Sequence, residues 1–213
     1  MKQLLLMFMA FLAFSFTSKE VNHPADHTHS SFVLLQNDKA FLRDYYRKTG
    51  NDLQKSVENL SEAQLQYKPS AEEWSISQCL EHIILTEKML FDMTKESLDK
   101  PANPERRNEV EVTDQKIIDG ITDRSSKVKA SEGLQPKGIY TDQKTALDDL
   151  TNQRAEILAL IEKVSIDDLR NHISDSPFGA TDAYHWLLFI AGHTARHTLQ
   201  IEEVKATDGF PTN

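Results

Sequence analysis

Ala183-Tyr184-His185-Trp186-Leu187-Leu188-Phe189-Ile190-Ala191-Gly192-His193-Thr194-Ala195-Arg196-His197-Thr198-Leu199-Gln200 decides how this chain is read. Tyr184 and the run Trp186 to Ala191 are too continuously apolar for a surface helix. The segment therefore predicts a helix from about Thr181 to Ala206, buried on several sides and stopped by Gly209 and Pro211. Further along, Phe189, His193, His197 and Gln200 follow at steps of four, four and three, one line along a helix. His193 and His197 thus project from one face, one turn apart, and two imidazoles so placed can share one metal ion. The pair alone leaves two readings open, a ligand pair or two core histidines. The zinc-protease pattern is excluded, because Thr194 stands where that motif needs its glutamate.

Three further long helices surround this one. Residues 38–60 carry Leu42, Tyr45, Thr49, Leu53, Val57 and Leu60 at three-four spacing, with Phe41 beside them. Ser61-Glu62-Ala63-Gln64 has the form of a capping box and opens a short turn that Pro69 ends. Ser75-Ile76-Ser77-Gln78 is a second capping box. It opens a helix to about Leu98, with Trp74 placed to staple onto Cys79 and Pro101 and Pro104 as the stop. Leu147, Leu150, Ile157, Leu158 and Ile161 define a helix over about 142–164. Arg154 lies on that apolar stripe, as a snorkelling rim residue or as the partner of a buried acid. Residues 100–140 hold Pro101, Pro104, Gly120, Gly133, Pro136 and Gly138. They read as an irregular crossover with one short helix around Ile117, Ile118 and Ile121. Four amphipathic segments, no strand signal and no solenoid repeat predict an all-α four-helix bundle over residues 38–207. The short first link makes the first two helices antiparallel, and the long one between the second and third permits a crossover.

A third histidine joins the pair. His82 sits midway along the second long helix, three after Cys79 and beside Ile83 on the apolar face, a position suited to a bundle in which that helix faces the last one. Three neutral imidazoles with an open position make a catalytic-type rather than a closed structural metal site. Imidazole nitrogen favours zinc, nickel, copper or iron over calcium or magnesium. Such an ion could activate a water, lowering its pKa towards about 7, or a thiol. No catalytic base stands out: Glu81 and Glu87 read as solvated helix face, and Arg196 as an exposed helix arginine or an anion contact. Gln200 is a candidate to support His197 by a hydrogen bond. His185 reads as core or boundary rather than a fourth ligand, and His172 as a loop residue. Cys79, the single cysteine, reads as a small buried hydrophobe and allows no intrachain disulfide.

The chain resembles the DinB/YfiT-like metalloproteins. The resemblance lies in Leu60-Ser61-Glu62-Ala63-Gln64-Leu65, Lys68-Pro69-Ser70, Glu73-Trp74-Ser75-Ile76 and Glu81-His82-Ile83. It continues in Phe178-Gly179, Trp186, His193-Thr194-Ala195-Arg196-His197 and Gln200-Ile201-Glu202. It implies a four-helix bundle in which His82, His193 and His197 bind one divalent ion, usually nickel or zinc. Members are often dimeric, so a homodimer is an expectation. The family includes proteins described as metal-dependent hydrolases and others that activate a low-molecular-weight thiol for transfer or isomerisation. The resemblance therefore implies a metal-dependent hydrolase acting on a small molecule. The alternatives are a metal-dependent thiol transferase or isomerase, and a non-catalytic metal- or ligand-binding bundle.

The chain ends fix the compartment expected. Lys2 precedes an apolar run from Leu4 to Phe16, and small residues follow at signal-peptidase positions, so residues 1–18 read as a secretory signal peptide. No cysteine follows, which closes the lipoprotein route. Residues 19–37, with His23, His27 and His29, read as a flexible leader, and residues 208–213 as a tail. The protein is accordingly expected outside the cytoplasm, periplasmic or extracellular, where reduced small thiols are scarce, and with no stable membrane span after cleavage. With 24 basic against 33 acidic residues among 213, a net charge of −9, nothing favours nucleic-acid binding.

Overall fold

The computed structural model describes residues 31–176 and 179–212. The segment read as a signal peptide and most of the stretch read as a leader lie outside the described residues. Helix α1 spans Ser31–Val57, α2 Glu62–Gln66, α3 Ile76–Leu98, α4 Asp114–Thr122, α5 Gln143–Lys163, α6 Ile166–Asn171 and α7 Ala183–Lys205. Two 3-10 turns, Pro104–Glu109 and Glu132–Leu134, lie in the crossover. Both capping boxes form. The Ser61 and Ser75 hydroxyls accept from the Gln64 and Gln78 amides, and each glutamine side chain accepts from its cap's own N–H.

Two expectations need correction. Helix α1 starts at Ser31, inside the stretch read as leader. The chain is also not free of strands. β1 (Ile173–Ser176) pairs antiparallel with β2 (Gly179–Asp182), Ile173 opposite Asp182. Ser174-Asp175-Ser176 and Gly179-Ala180-Thr181 are too short and polar to show an alternating pattern. Asp182 closes β2 and caps α7, accepting from the His185 amide at 2.7 Å. The stretch read as a tail docks: Gln64 donates to the Pro211 carbonyl at 2.9 Å, and the Phe210 and Tyr67 rings meet edge to face.

Two apolar clusters show how the helices run. One joins Leu42 and Tyr46 of α1, Leu90 of α3, Ile157 and Ile161 of α5, and Tyr184, Leu187 and Leu188 of α7. The other joins Leu53 and Val57, Ile76 and Leu80, Ala146 and Leu150, and Ile201 and Val204. Helices α1 and α7 therefore run from the first cluster to the second, and α3 and α5 run the opposite way. Because α3 and α5 are parallel, the chain must return the length of the bundle between them, and residues 99–142 make that return. Helix α7 lies at the centre, packed by α1, α3 and the crossover helix α4. The approach of α4 is close: a Cβ on Gly192 would lie 2.4 Å from the Ile121 side chain.

A polar layer separates the two clusters. Arg154 of α5 and Glu87 of α3 form an ion pair at 2.5 Å, 8% and 0% exposed. The arginine also donates to the Tyr46 carbonyl, the Thr49 hydroxyl and the Thr194 hydroxyl, and Thr194 donates to Glu87 at 2.5 Å. Every N–H group of the guanidinium is engaged. Of the two readings of Arg154, the partner of a buried acid is the observed one. Glu87 is not on a solvated face, because that face of α3 looks into the bundle.

Candidate functional site

One turn from this layer, α3 and α7 bring His82, His193 and His197 together. All three are buried, and one ring nitrogen of each lies within 4.8 Å of the others. The ring centroids are 4.4–5.0 Å apart. Trp74 packs on the cluster that holds Cys79, as a staple should, and its ring also lies 4.8 Å from His82 and 6.0 Å from His197. Phe189 stacks on His193 from the other side.

Hydrogen bonds fix two of the three tautomers. His82 Nδ1 lies 2.9 Å from the Leu134 carbonyl, which can only accept, so Nδ1 carries the proton and Nε2 a lone pair. His197 Nδ1 lies 2.8 Å from Gln200 Oε1, and that oxygen also faces the Arg124 guanidinium at 3.4 Å. The arginine requires an acceptor there, so His197 Nδ1 is the donor and its Nε2 is again a lone pair. His193 Nε2 stands 3.1 Å from His197 Nε2, and its Nδ1 is buried without a hydrogen-bond partner among the described residues. Burial pushes the His193 and His197 imidazoles well below the ordinary value of 6.5, and neighbouring imidazoles push further. Burial also lowers His82, opposed by its bond to Leu134. Three neutral rings whose nitrogens converge within 4.8 Å suit a cation, with the Thr86 hydroxyl 3.5 Å from His82 Nε2. Two nitrogens bound at about 2.0–2.1 Å to one tetrahedral ion lie about 3.3 Å apart, close to the observed separation.

The residues flanking the ligands behave differently from expectation. Glu81 is buried, and its Oε2 accepts from the Lys137, Gly138 and Ile139 amides at 2.8, 2.6 and 3.3 Å. Arg196 is half-buried and donates to the carbonyls of Ile121, Asp123 and Ser126. Neither is a solvated helix residue, because the crossover covers both positions. Leu134 and Arg124 were not singled out in the sequence; one acts through its backbone and the other from an irregular segment without periodicity. Gln200 takes the supporting place expected of it. His185 is core, its Nε2 bonded to Asp114 at 2.8 Å at the far end of α7. His172 ends α6 and reaches the Asp168 and Lys100 carbonyls rather than lying in an open loop. Cys79 is fully buried and its thiol is pushed up to about 12 by burial.

Fold and site define a four-helix bundle with a crossover between parallel helices and a buried, convergent three-histidine cluster. The chain belongs to the DinB superfamily, whose family model matches residues 45–201. It is 28% identical over 153 residues to YuaE of Bacillus subtilis (strain 168), covering 70% of this chain and 88% of that one. The fold is similar to that of YfiT from Bacillus subtilis, with a TM-score of 0.55 and 14% identity, over 86% of this chain and 91% of that one. YfiT is described as a probable metal-dependent hydrolase with an unusual four-helix bundle topology.

Proposed function

We propose that this protein is a metal-dependent enzyme of the hydrolase type, holding one divalent ion, nickel or zinc, on His82, His193 and His197. The observation that carries the reading is the facing of the His193 and His197 Nε2 atoms at 3.1 Å, with a ring nitrogen of His82 within 4.8 Å of both ligand atoms. When bound, such an ion supplies Lewis acidity to a water or substrate atom at a fourth position. The chain's own part is to hold its ligands neutral and oriented, through the Leu134 carbonyl and Gln200, and to exclude bulk water with Trp74 and Phe189. The description of YfiT as a probable metal-dependent hydrolase supports the class of reaction. The substrate is expected to be a small molecule met outside the cytoplasm, given the signal-like residues 1–18.

Metal analysis of protein purified without a chelating tag, followed by ester, amide and phosphoester assays, tests the reading. Stoichiometric nickel or zinc and turnover lost in His193→Ala are expected. Turnover that persists in that variant overturns the enzyme assignment. Mass analysis of the mature protein recovered from outside the cytoplasm should show the chain starting near residue 19.

A further inference from the structure

Each metal-facing helix carries, directly before a histidine, a charged residue that grips the crossover. Glu81 precedes His82 and accepts from the amides of residues 137–139. Arg196 precedes His197 and donates to carbonyls between residues 121 and 126. The two grips bracket the segment that supplies the remaining contacts. Leu134 lies between them and accepts from His82, while Arg124, ion-paired to Glu203 at 2.5 Å, faces the oxygen of Gln200 that accepts from His197. Gly138 enables the first grip. Its φ of +79° suits glycine, and a Cβ would lie 3.3 Å from Gln66 and Gln78.

We infer that Glu81, Arg196 and Arg124 are positioning residues for the three-histidine centre. They seat the crossover so that the Leu134 carbonyl and Gln200 hold His82 and His197 with Nδ1 protonated and Nε2 free. The inference rests on the metal reading above and deepens it. Seating the strap and binding a cation are then linked, because a ligand that prefers one ring orientation stabilises the contacts that hold it. The acid grips amides and the base grips carbonyls, so Glu81 and Arg196 hold the crossover by its backbone, while Arg124 ties it to α7 through its side chain.

The test uses the full chain with zinc as the probe, its affinity measured by competition with a chromophoric chelator. Amide hydrogen exchange across residues 121–140 is followed with and without zinc. In the wild type, zinc should slow exchange at Lys137, Gly138 and Ile139. Glu81→Gln and Arg196→Lys should weaken zinc binding roughly ten- to a hundredfold, the cost expected for partners that orient a ligand. Gln200→Met, at a half-buried position, should weaken it about tenfold, and Gln200→Glu, which can still accept from His197, should restore it. That contrast holds even if Glu81→Gln fails to fold, and a merely structural role would not produce it. If wild-type protein binds zinc but exchange is unchanged and Gln200→Met binds within twofold, the positioning role is wrong and the metal reading stands. If His193→Ala binds zinc as the wild type does, the metal reading fails and this inference falls with it.

Discussion

Two buried polar groups lie side by side in this bundle, and they are built on opposite principles. Arg154, Glu87, Thr194 and Thr49 close on themselves, each donor meeting an acceptor inside the protein. His82, His193 and His197 do the reverse: the protein satisfies the outer nitrogens of two rings and turns the inner ones toward one another. What marks the histidine cluster as a place for a cation is the convergence of its ring nitrogens within 4.8 Å of one another, with the buried His193 Nδ1 left without a hydrogen-bond partner among the described residues. Burial does not separate the two groups; the way their polar atoms are paired does.

The largest effect should come from breaking the closed group. Arg154→Met strands the Glu87 carboxylate in the core and should cost about 3–5 kcal/mol in denaturant unfolding. The double variant Arg154→Met, Glu87→Leu should recover most of that loss, since a buried pair contributes little beyond well-packed apolar residues. A double variant as unstable as the single one would mean the layer is more than a satisfied pair. The open group should respond to metal instead. Zinc at a hundred times its Kd should stabilise the wild type by about 2.7 kcal/mol, and His193→Ala should lose this increment.

Acidification sharpens the contrast further. The three ligand imidazoles are held below 6.5 in the folded protein, so above that pH the folded and unfolded chains bind the same protons there. As pH falls through 6.5 the unfolded chain takes up protons first, and stability falls, by at most about 1.4 kcal/mol per pH unit for each histidine. Metal should leave over the same range, because protonated imidazole does not coordinate. A metal-free melting temperature flat from pH 7 to 5 would contradict the burial of these rings. Gly192→Ala, which drives a methyl into Ile121, should cost about 1–3 kcal/mol by overpacking and loosen α4 from α7. The smallest effect is at Cys79: with its thiol pushed up to about 12, it should resist alkylation at pH 8 until the protein unfolds.

The pattern of what was legible follows from the same chemistry. Capping boxes and three-four stripes are local, so Ser61, Ser75 and the helices they open could be placed from residue order alone. The histidine line on α7 is local too. His82 needed the bundle, because only packing brings α3 against it. Glu81, Glu87 and Arg196 were misread because a charge on a helix shows its spacing but not its partner. Their partners lie 56, 67 and 75 residues away in the chain. Amide and carbonyl groups of a crossover leave no trace in side-chain pattern, and neither does a four-residue hairpin of serine, aspartate, glycine and threonine.

The parallel run of α3 and α5 has a consequence for how such a protein can diversify. A connection that must travel the length of the bundle is long enough to carry contacts to the three-histidine cluster, as this one does through Leu134 and Arg124. Lengthening it is thermodynamically cheap, about 0.6 kcal/mol for each doubling of a flexible loop. The ligands sit on helices, but the contacts that orient His82 and His197 come partly from the crossover, through the Leu134 carbonyl and Arg124, so a new crossover grafted between Leu98 and Gln143 would have to keep those two contacts for ion binding to survive.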